Sequence, residues 1–176
     1  VATDFDERYR NATLEVTVGL RLPPRAIAEV RLTLRDLQNK AIRLDPDVLR
    51  FASTAAETTV RIPVGPVTMR DAEHPRLYTL EARVIAGGAT LEVVRRNVGF
   101  RKLEIHGNKF FVNGREIKLR GGNRHNIHPL RGRSVPAAFD LLDARLFREA
   151  NINFVRTSHY PPTEAFLDAC DRIGLY

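Results

Sequence analysis

The stretch Asn153-Phe154-Val155-Arg156-Thr157-Ser158-His159-Tyr160-Pro161 runs an apolar pair into an arginine, two hydroxyls, a histidine and a tyrosine. Apolar residues bounded by turn signals read as a short buried strand, here about residues 153–156. What flanks it decides the fold. Upstream, Pro136 to Ala150 places Phe139, Leu142, Leu146 and Ala150 on one helical face, with Asp140, Asp143 and Arg145 off it. Downstream, Thr163 is a credible N-cap, followed by Phe166, Ala169, Cys170 and Ile173 at i, i+3, i+4, i+7, with Gly174 as the stop. An earlier strand is expected at about residues 117–121. Strands alternating with amphipathic helices predict right-handed βαβ units on a parallel sheet, either a barrel or an open sheet. Two units cannot bury both faces of a sheet, so a third strand is expected after Leu175-Tyr176 and this half reads as a fragment. The Val-Ala-Thr start, without an initiator Met, points the same way.

Before residue 119 the period is that of strands. Leu14, Val16, Val18 and Leu20 alternate with polar or small residues, as do Ala28, Val30, Leu32 and Leu34. Val60, Ile62 and Val64 repeat the pattern, and so do Leu80, Ala82 and Val84. Pro23-Pro24, Asp45-Pro46, Gly65-Pro66 and Gly87-Gly88 separate the runs. Short half-buried strands at this spacing predict an antiparallel sandwich of immunoglobulin-like type. Asn113-Gly114, between apolar segments, predicts a two-residue hairpin turn in which both residues need positive φ.

The 176 residues carry a formal charge of +7. Residues 101–133 hold nine Lys or Arg against Glu104 and Glu116, which accounts for the whole excess (9 − 2 = +7). Aromatic interleaving and nucleic-acid motifs are absent from this stretch, so an acidic neighbour explains it better than nucleic acid. Apolar runs stay well short of the roughly 18 residues of a membrane helix. A single cysteine, Cys170, rules out an internal disulfide and any Cys-based metal cluster, and its helical setting reads as a buried face.

In parallel sheets ligands meet the carboxyl ends of the strands. Both loops at that end are polar: Arg120-Gly-Gly-Asn-Arg-His-Asn-Ile-His-Pro129, and Arg156-Thr-Ser-His-Tyr-Pro-Pro162. If the two units are adjacent, His125 and His159 open onto one crevice with Arg156 at its floor, a setting for polar ligand recognition. His125 and His128 have a spacing that could chelate zinc, but a third ligand and oriented rings would be needed, and no metal is assigned. His74 and His106 read as ordinary packing. Arg156 is either half of a structural ion pair or a group that keeps a catalytic carboxylate ionised. Asp140 with Asp143, and Asp168 with Asp171, read as solvated helix faces, and Glu149 and Glu164 as helix ends. None of these is a convincing catalytic acid.

Gly99-Phe-Arg-Lys-Leu-Glu-Ile105, Phe111-Val-Asn-Gly114, Leu119-Arg-Gly-Gly-Asn-Arg-His-Asn-Ile-His-Pro129 and Asn151-Ile-Asn-Phe-Val-Arg-Thr-Ser-His-Tyr-Pro161, then Leu167-Asp-Ala-Cys-Asp-Arg-Ile-Gly-Leu-Tyr176, resemble glycoside hydrolase family 2. His74-Pro-Arg-Leu-Tyr78 resembles a late stretch of that family's sandwich. The resemblance implies an immunoglobulin-like β-sandwich (1–106), a hairpin connection (107–119) and the first two βα units of a truncated (β/α)8 barrel (120–176). It implies a retaining β-glycosidase, nearer β-galactosidases in its first loop. Such enzymes use two glutamates about 5–5.5 Å apart, and the resemblance places both beyond Tyr176, with no catalytic residue, metal or cofactor in this chain. His125 and His159 would then bind hydroxyls of the terminal sugar of a β-glycoside, Arg156 would support the nucleophile's side, and Asn123 and Arg124 would shape the first loop. Asn126-Ile127 and Gly122 depart from the family's usual residues. A homo-oligomeric parent, inactivity of the chain alone, and its self-association or poor order after about residue 120 are further expectations. The competing reading is a non-catalytic carbohydrate-binding or interaction module.

Overall fold

The computed structural model describes residues 1–23, 26–52 and 55–176. Pro24, expected in a turn, lies outside the described residues. The chain forms two compact units: residues 1–69 with 77–102, and residues 70–76 with 103–176.

The first unit holds β1 (Ala2–Phe5), β2 (Ala12–Arg21), β3 (Ala28–Arg35), β4 (Ala41–Ile42), β5 (Val48–Phe51), β6 (Ala55–Gly65), β7 (Tyr78–Ala86) and β8 (Ala89–Val98). One sheet has the order β1-β2-β6; in the other, β3 pairs with β7 on one side and with β4 and β5 on the other, and β8 extends from β7. Every pairing is antiparallel. Alternation puts Leu14, Val16 and Ile62 of one sheet into a single core with Val30, Leu32, Leu34, Leu80 and Val84 of the other. This is the sandwich that the period of two predicts. Burying those eight side chains, at roughly 1.5–3 kcal/mol each, is the main force holding the sheets face to face.

The second unit begins with a meander of β9 (Leu103–His106), β10 (Lys109–Val112) and β11 (Arg115–Ile117). Leu103–His106, within the 1–106 span that the resemblance gives the sandwich, pairs with β10. The expected turn is present: Val112 pairs with Arg115, and Asn113 and Gly114 have φ of 51° and 74°. The Asn113 side-chain NH2 also donates to the Arg70 carbonyl at 3.0 Å.

Next come β12 (Gly121–Arg124), α1 (Ala137–Glu149), β13 (Phe154–Thr157) and α2 (Glu164–Ile173). β12 and β13 are parallel, with Gly121 opposite Phe154 and Arg124 opposite Thr157. The first strand starts later than expected because Asn153 occupies the backbone before it. The Asn153 side chain accepts from Arg120 N–H at 2.7 Å and donates to the Lys118 carbonyl at 3.0 Å. Gly121 is required by its neighbour, since a Cβ there would sit 2.4 Å from the Phe154 ring.

Both ends of α2 are as expected: Thr163 Oγ1 accepts from Phe166 N–H, and Gly174 closes the helix with φ 90°. Phe166, Ala169, Cys170 and Ile173 pack with Ala144, Val155 and Leu175 in the second core. α1 is turned relative to its predicted apolar stripe. Asp140 and Ala144 are buried, while Leu142 and Leu146 are 46% and 52% exposed. The stripe that packs into the second core is Leu141, Ala144 and Phe147, and beside it the buried Asp140 pairs with Arg124, as described below. Beyond α2 the chain returns to the sheet. Tyr176 N–H donates to the Asn153 carbonyl and Val155 N–H donates to the Tyr176 carbonyl, both at 2.8 Å, which is the hydrogen-bond pattern of a parallel neighbour.

Residues 70–76 strap this unit. Arg70, 2% exposed, donates to the Asp171 carboxylate at 2.8 Å and to its carbonyl at 3.1 Å. Ala72 N–H donates to the Tyr176 hydroxyl, and Glu73 pairs with Arg148 at 2.6 Å. Asp171, expected on a solvated outer face, keeps a side chain 41% exposed but is paired with the buried arginine. Among the described residues, no helix is long and apolar enough to cross a membrane.

Candidate functional site

Successive strand residues point to opposite faces of a sheet. Gly122, Arg124, Val155 and Thr157 share the face that the helices cover, so Asn123 and Arg156 share the other. They are paired in register, and Arg156 Nη1 donates to Asn123 Oδ1 at 3.4 Å and to Ser158 Oγ at 3.1 Å. Arg156 Nη2 lies 3.2 Å from His159 Nδ1. A guanidinium has only donors, so Nδ1 accepts and His159 is the tautomer carrying its proton on Nε2. The His159 ring meets the His125 ring edge-to-face, with centroids 5.3 Å apart.

The structure thus brings all four sequence-predicted residues, Asn123, His125, Arg156 and His159, into one cluster at the carboxyl ends of β12 and β13. All four are exposed on that rim. Among the described residues Arg156 contacts Asn123, Ser158 and His159 and forms no ion pair with a carboxylate. The cluster offers ring N–H, guanidinium and amide donors beside an amide acceptor, a set suited to neighbouring hydroxyls that each give and take a hydrogen bond.

Around the cluster lie residues that sequence reasoning passed over. The Tyr160 hydroxyl accepts from Asn126 N–H at 2.9 Å, its ring is 6.1 Å from that of His125, and the Arg133 guanidinium lies 5.1 Å from it. Ser158 is 1% exposed, and the Ser158–His159 peptide is cis. The only signal for Tyr160 was its position between the histidine and two prolines.

Arg124 departs most from expectation. It is 7% exposed, its Nε donates to Asp143 Oδ2 and its Nη2 to Asp140 Oδ1, both at 2.7 Å. Asp140, read as solvated, is 1% exposed. A charge that fully buried must be paired, and this one is. Gly122, an unusual residue for its position, is matched by Phe147, whose ring would stand 3.2 Å from a Cβ there.

His128 is not part of the cluster. Its Nδ1 accepts from Leu130 N–H, and its ring packs edge-to-face on Phe139 at 4.4 Å. His106 packs on Phe111, and His74 pairs with Asp71. Among the described residues no three of His, Cys, Asp and Glu converge as metal ligands. Cys170 is chemically quiet, because burial pushes its thiol up to about 11.

Solved structures share this architecture. A putative β-galactosidase from Bacteroides fragilis superposes with a TM-score of 0.86 at 22% identity, covering 99% of this chain and 26% of that one. The Parabacteroides merdae β-glucuronidase gives 0.83 at 22% identity, over 99% of this chain and 22% of that one. At such identities the likeness establishes the fold: a sandwich followed by the opening βα units of a barrel. In sequence, a β-galactosidase of Lactobacillus delbrueckii subsp. bulgaricus is 33% identical over 100% of this chain. β-Galactosidase BgaC of Bifidobacterium adolescentis is 35% identical over 99% of it. The chain spans only 17% and 16% of the length of these two curated relatives. Residues 1–101 match the family model described as glycosyl hydrolases family 2, and residues 103–176 match that family's TIM barrel domain. The chain belongs to glycosyl hydrolase family 2.

Proposed function

We propose that this chain is the sandwich and barrel-opening part of a retaining exo-β-glycosidase that acts on β-galactosides or closely related sugars. The observation that carries the reading is the cluster of Asn123, Arg156, His159 and His125 at the carboxyl ends of two parallel strands, where barrel enzymes bind substrate. In this reading His125 and His159 bind hydroxyls of the terminal sugar. Arg156, with no carboxylate of its own among the described residues, supports the nucleophile's side of the pocket, and a cation there keeps a carboxylate ionised. Asn123 holds Arg156 in place.

The chemistry of a retaining enzyme needs one carboxyl group as acid and base and another as nucleophile. The only glutamates after residue 119 are Glu149, which ends α1, and Glu164, which starts α2. Both catalytic glutamates are therefore assigned to later barrel strands, and the chain by itself is inactive. The β-galactosidases among the relatives favour galactosides over glucuronides.

The test is an assay of the 176-residue chain and of the full-length protein containing it, with p-nitrophenyl β-D-galactopyranoside. Turnover by the full-length protein alone is expected. Turnover by the isolated chain would overturn the assignment of the glutamates. A full-length protein that binds galactosides but hydrolyses none would favour a non-catalytic carbohydrate-binding module.

A further inference from the structure

Arg124 stands between two cluster residues in sequence, yet its side chain points away from them into the helix layer. Its two bonds to Asp143 and Asp140, each 2.7 Å, come from neighbouring N–H groups, Nε and Nη2, on one edge of the guanidinium, and its Cζ lies 4.0 Å from the Phe166 ring centroid. The other oxygen of Asp140 accepts from the Thr163 hydroxyl at 2.7 Å. Thr163 Oγ1 in turn accepts from Phe166 N–H at 3.2 Å and caps α2. The return path is through backbone, since Ser158 N–H donates to the Arg124 carbonyl at 2.9 Å.

These contacts close a circuit. It runs from the end of β12 across α1 to the cap of α2, then back along residues 158–163 to the carbonyl of Arg124. His125 follows Arg124 and His159 follows Ser158, so each histidine sits one residue beyond a fixed point of the circuit.

We propose that Arg124 is a positioning residue: the Arg124–Asp140–Thr163 network sets the separation and relative orientation of His125 and His159. Fold stability alone does not call for it, because well-packed apolar residues commonly replace a buried ion pair without loss. Lysine cannot substitute, because its single ammonium cannot reproduce a planar fork serving two carboxylates. The role of the two histidines in sugar binding rests on the proposed function, whereas the geometry of the network does not.

The experiment uses Arg124→Lys, Thr163→Val and Thr163→Ser, in the 176-residue chain and in the full-length protein. In the chain, NMR reads the nuclear Overhauser contact between the His125 and His159 rings and the amide line widths at residues 125–126 and 158–160. Arg124→Lys and Thr163→Val are expected to weaken that contact and broaden those amides, while Thr163→Ser keeps both as in the parent. In the full-length protein, Arg124→Lys is expected to lower kcat on the nitrophenyl galactoside by about 10- to 100-fold, the range that small misplacements produce, with KM changing less. Ring contact and line widths preserved in both Arg124→Lys and Thr163→Val would overturn the proposal. Should Arg124→Lys fail to fold, the Thr163 pair decides alone: an unchanged Thr163→Val overturns, and a loss that serine restores supports. A full-length parent with no glycosidase activity would remove the proposed function and leave the NMR arm to judge the positioning role.

Discussion

Arg156 and His159 are joined at 3.2 Å from guanidinium Nη2 to imidazole Nδ1, and that bond determines which ring nitrogen of His159 carries its proton. The Nε2–H tautomer is expected, with Nε2 free to donate. Long-range 15N–1H NMR correlations on the chain should show it near neutral pH, and Arg156→Met should return the ring to a mixture of tautomers. A dominant Nδ1–H tautomer in the parent would mean that the contact is not a hydrogen bond.

Asp140 and Arg124 are both buried in their ion pair, and removing Asp140 leaves Arg124 charged without its innermost partner. Breaking a buried pair from one side costs about 3–5 kcal/mol. Asp140→Ala should lower the unfolding midpoint in urea accordingly, whereas Asp168→Ala, on the exposed side of α2, should stay within about 0.5 kcal/mol of the parent. Equal effects would contradict the inward placement of Asp140.

Gly174 combines a φ of 90° with close approach to the strap, because a Cβ there would lie 2.1 Å from the Ala72 carbonyl oxygen. Gly174→Ala should destabilise by more than about 1 kcal/mol, since both the backbone conformation and the contact disfavour a side chain. Gly132→Ala is the control: it shares the positive φ but has nothing within 4 Å of the added Cβ. The difference between the two variants in thermal unfolding isolates the contact with the strap.

Cys170, with its thiol pushed up to about 11 by burial, should resist iodoacetamide in the native protein at pH 8. Only about one part in a thousand is then thiolate, the reactive form. Because the folded value is raised, this group stabilises the fold below its unfolded value near pH 8.5 and loses that contribution as pH rises toward 11. Fast alkylation at pH 8 without denaturant would refute the buried setting.

Glu81 lies between Arg83 and Arg95, whose hydrogen bonds hold its carboxyl below the ordinary glutamate value. A lowered value favours folding above the unfolded pKa, and the benefit is lost as pH falls through the folded one. Glu81→Gln should therefore show a flatter decline in stability below about pH 4 than the parent. Parallel acid-unfolding curves would show that the two arginines contribute nothing.

What could be read in the sequence was local. The Asn113-Gly114 turn was legible because few residue pairs accept two positive φ values in a row. Helix α2 was legible because its cap, period and stop agree. The meeting of His125 and His159 followed from topology, since adjacent parallel strands bring their carboxyl ends together. The rotation of α1 was hidden, because hydropathy assigns an aspartate to solvent and cannot see that Arg124, sixteen residues earlier, pairs with the buried Asp140. For the same reason the charged residue before His125 was read as part of the loop when it belongs to the helix layer.

The strap at residues 70–76 has a consequence for how such proteins can be cut and recombined. The two family models meet between residues 101 and 103, which suggests a clean join there. A second unit taken from Leu103 onward would keep Asp171 and lose the buried arginine that pairs with it, 101 positions away. It would also lose the carbonyl that anchors the Asn113 turn and the amide that holds the Tyr176 hydroxyl. The gene's apparent seam is thus not a seam in the folded chain. A chimera joined at residue 102 inherits a strap from one parent and its sockets from the other, and the two must match.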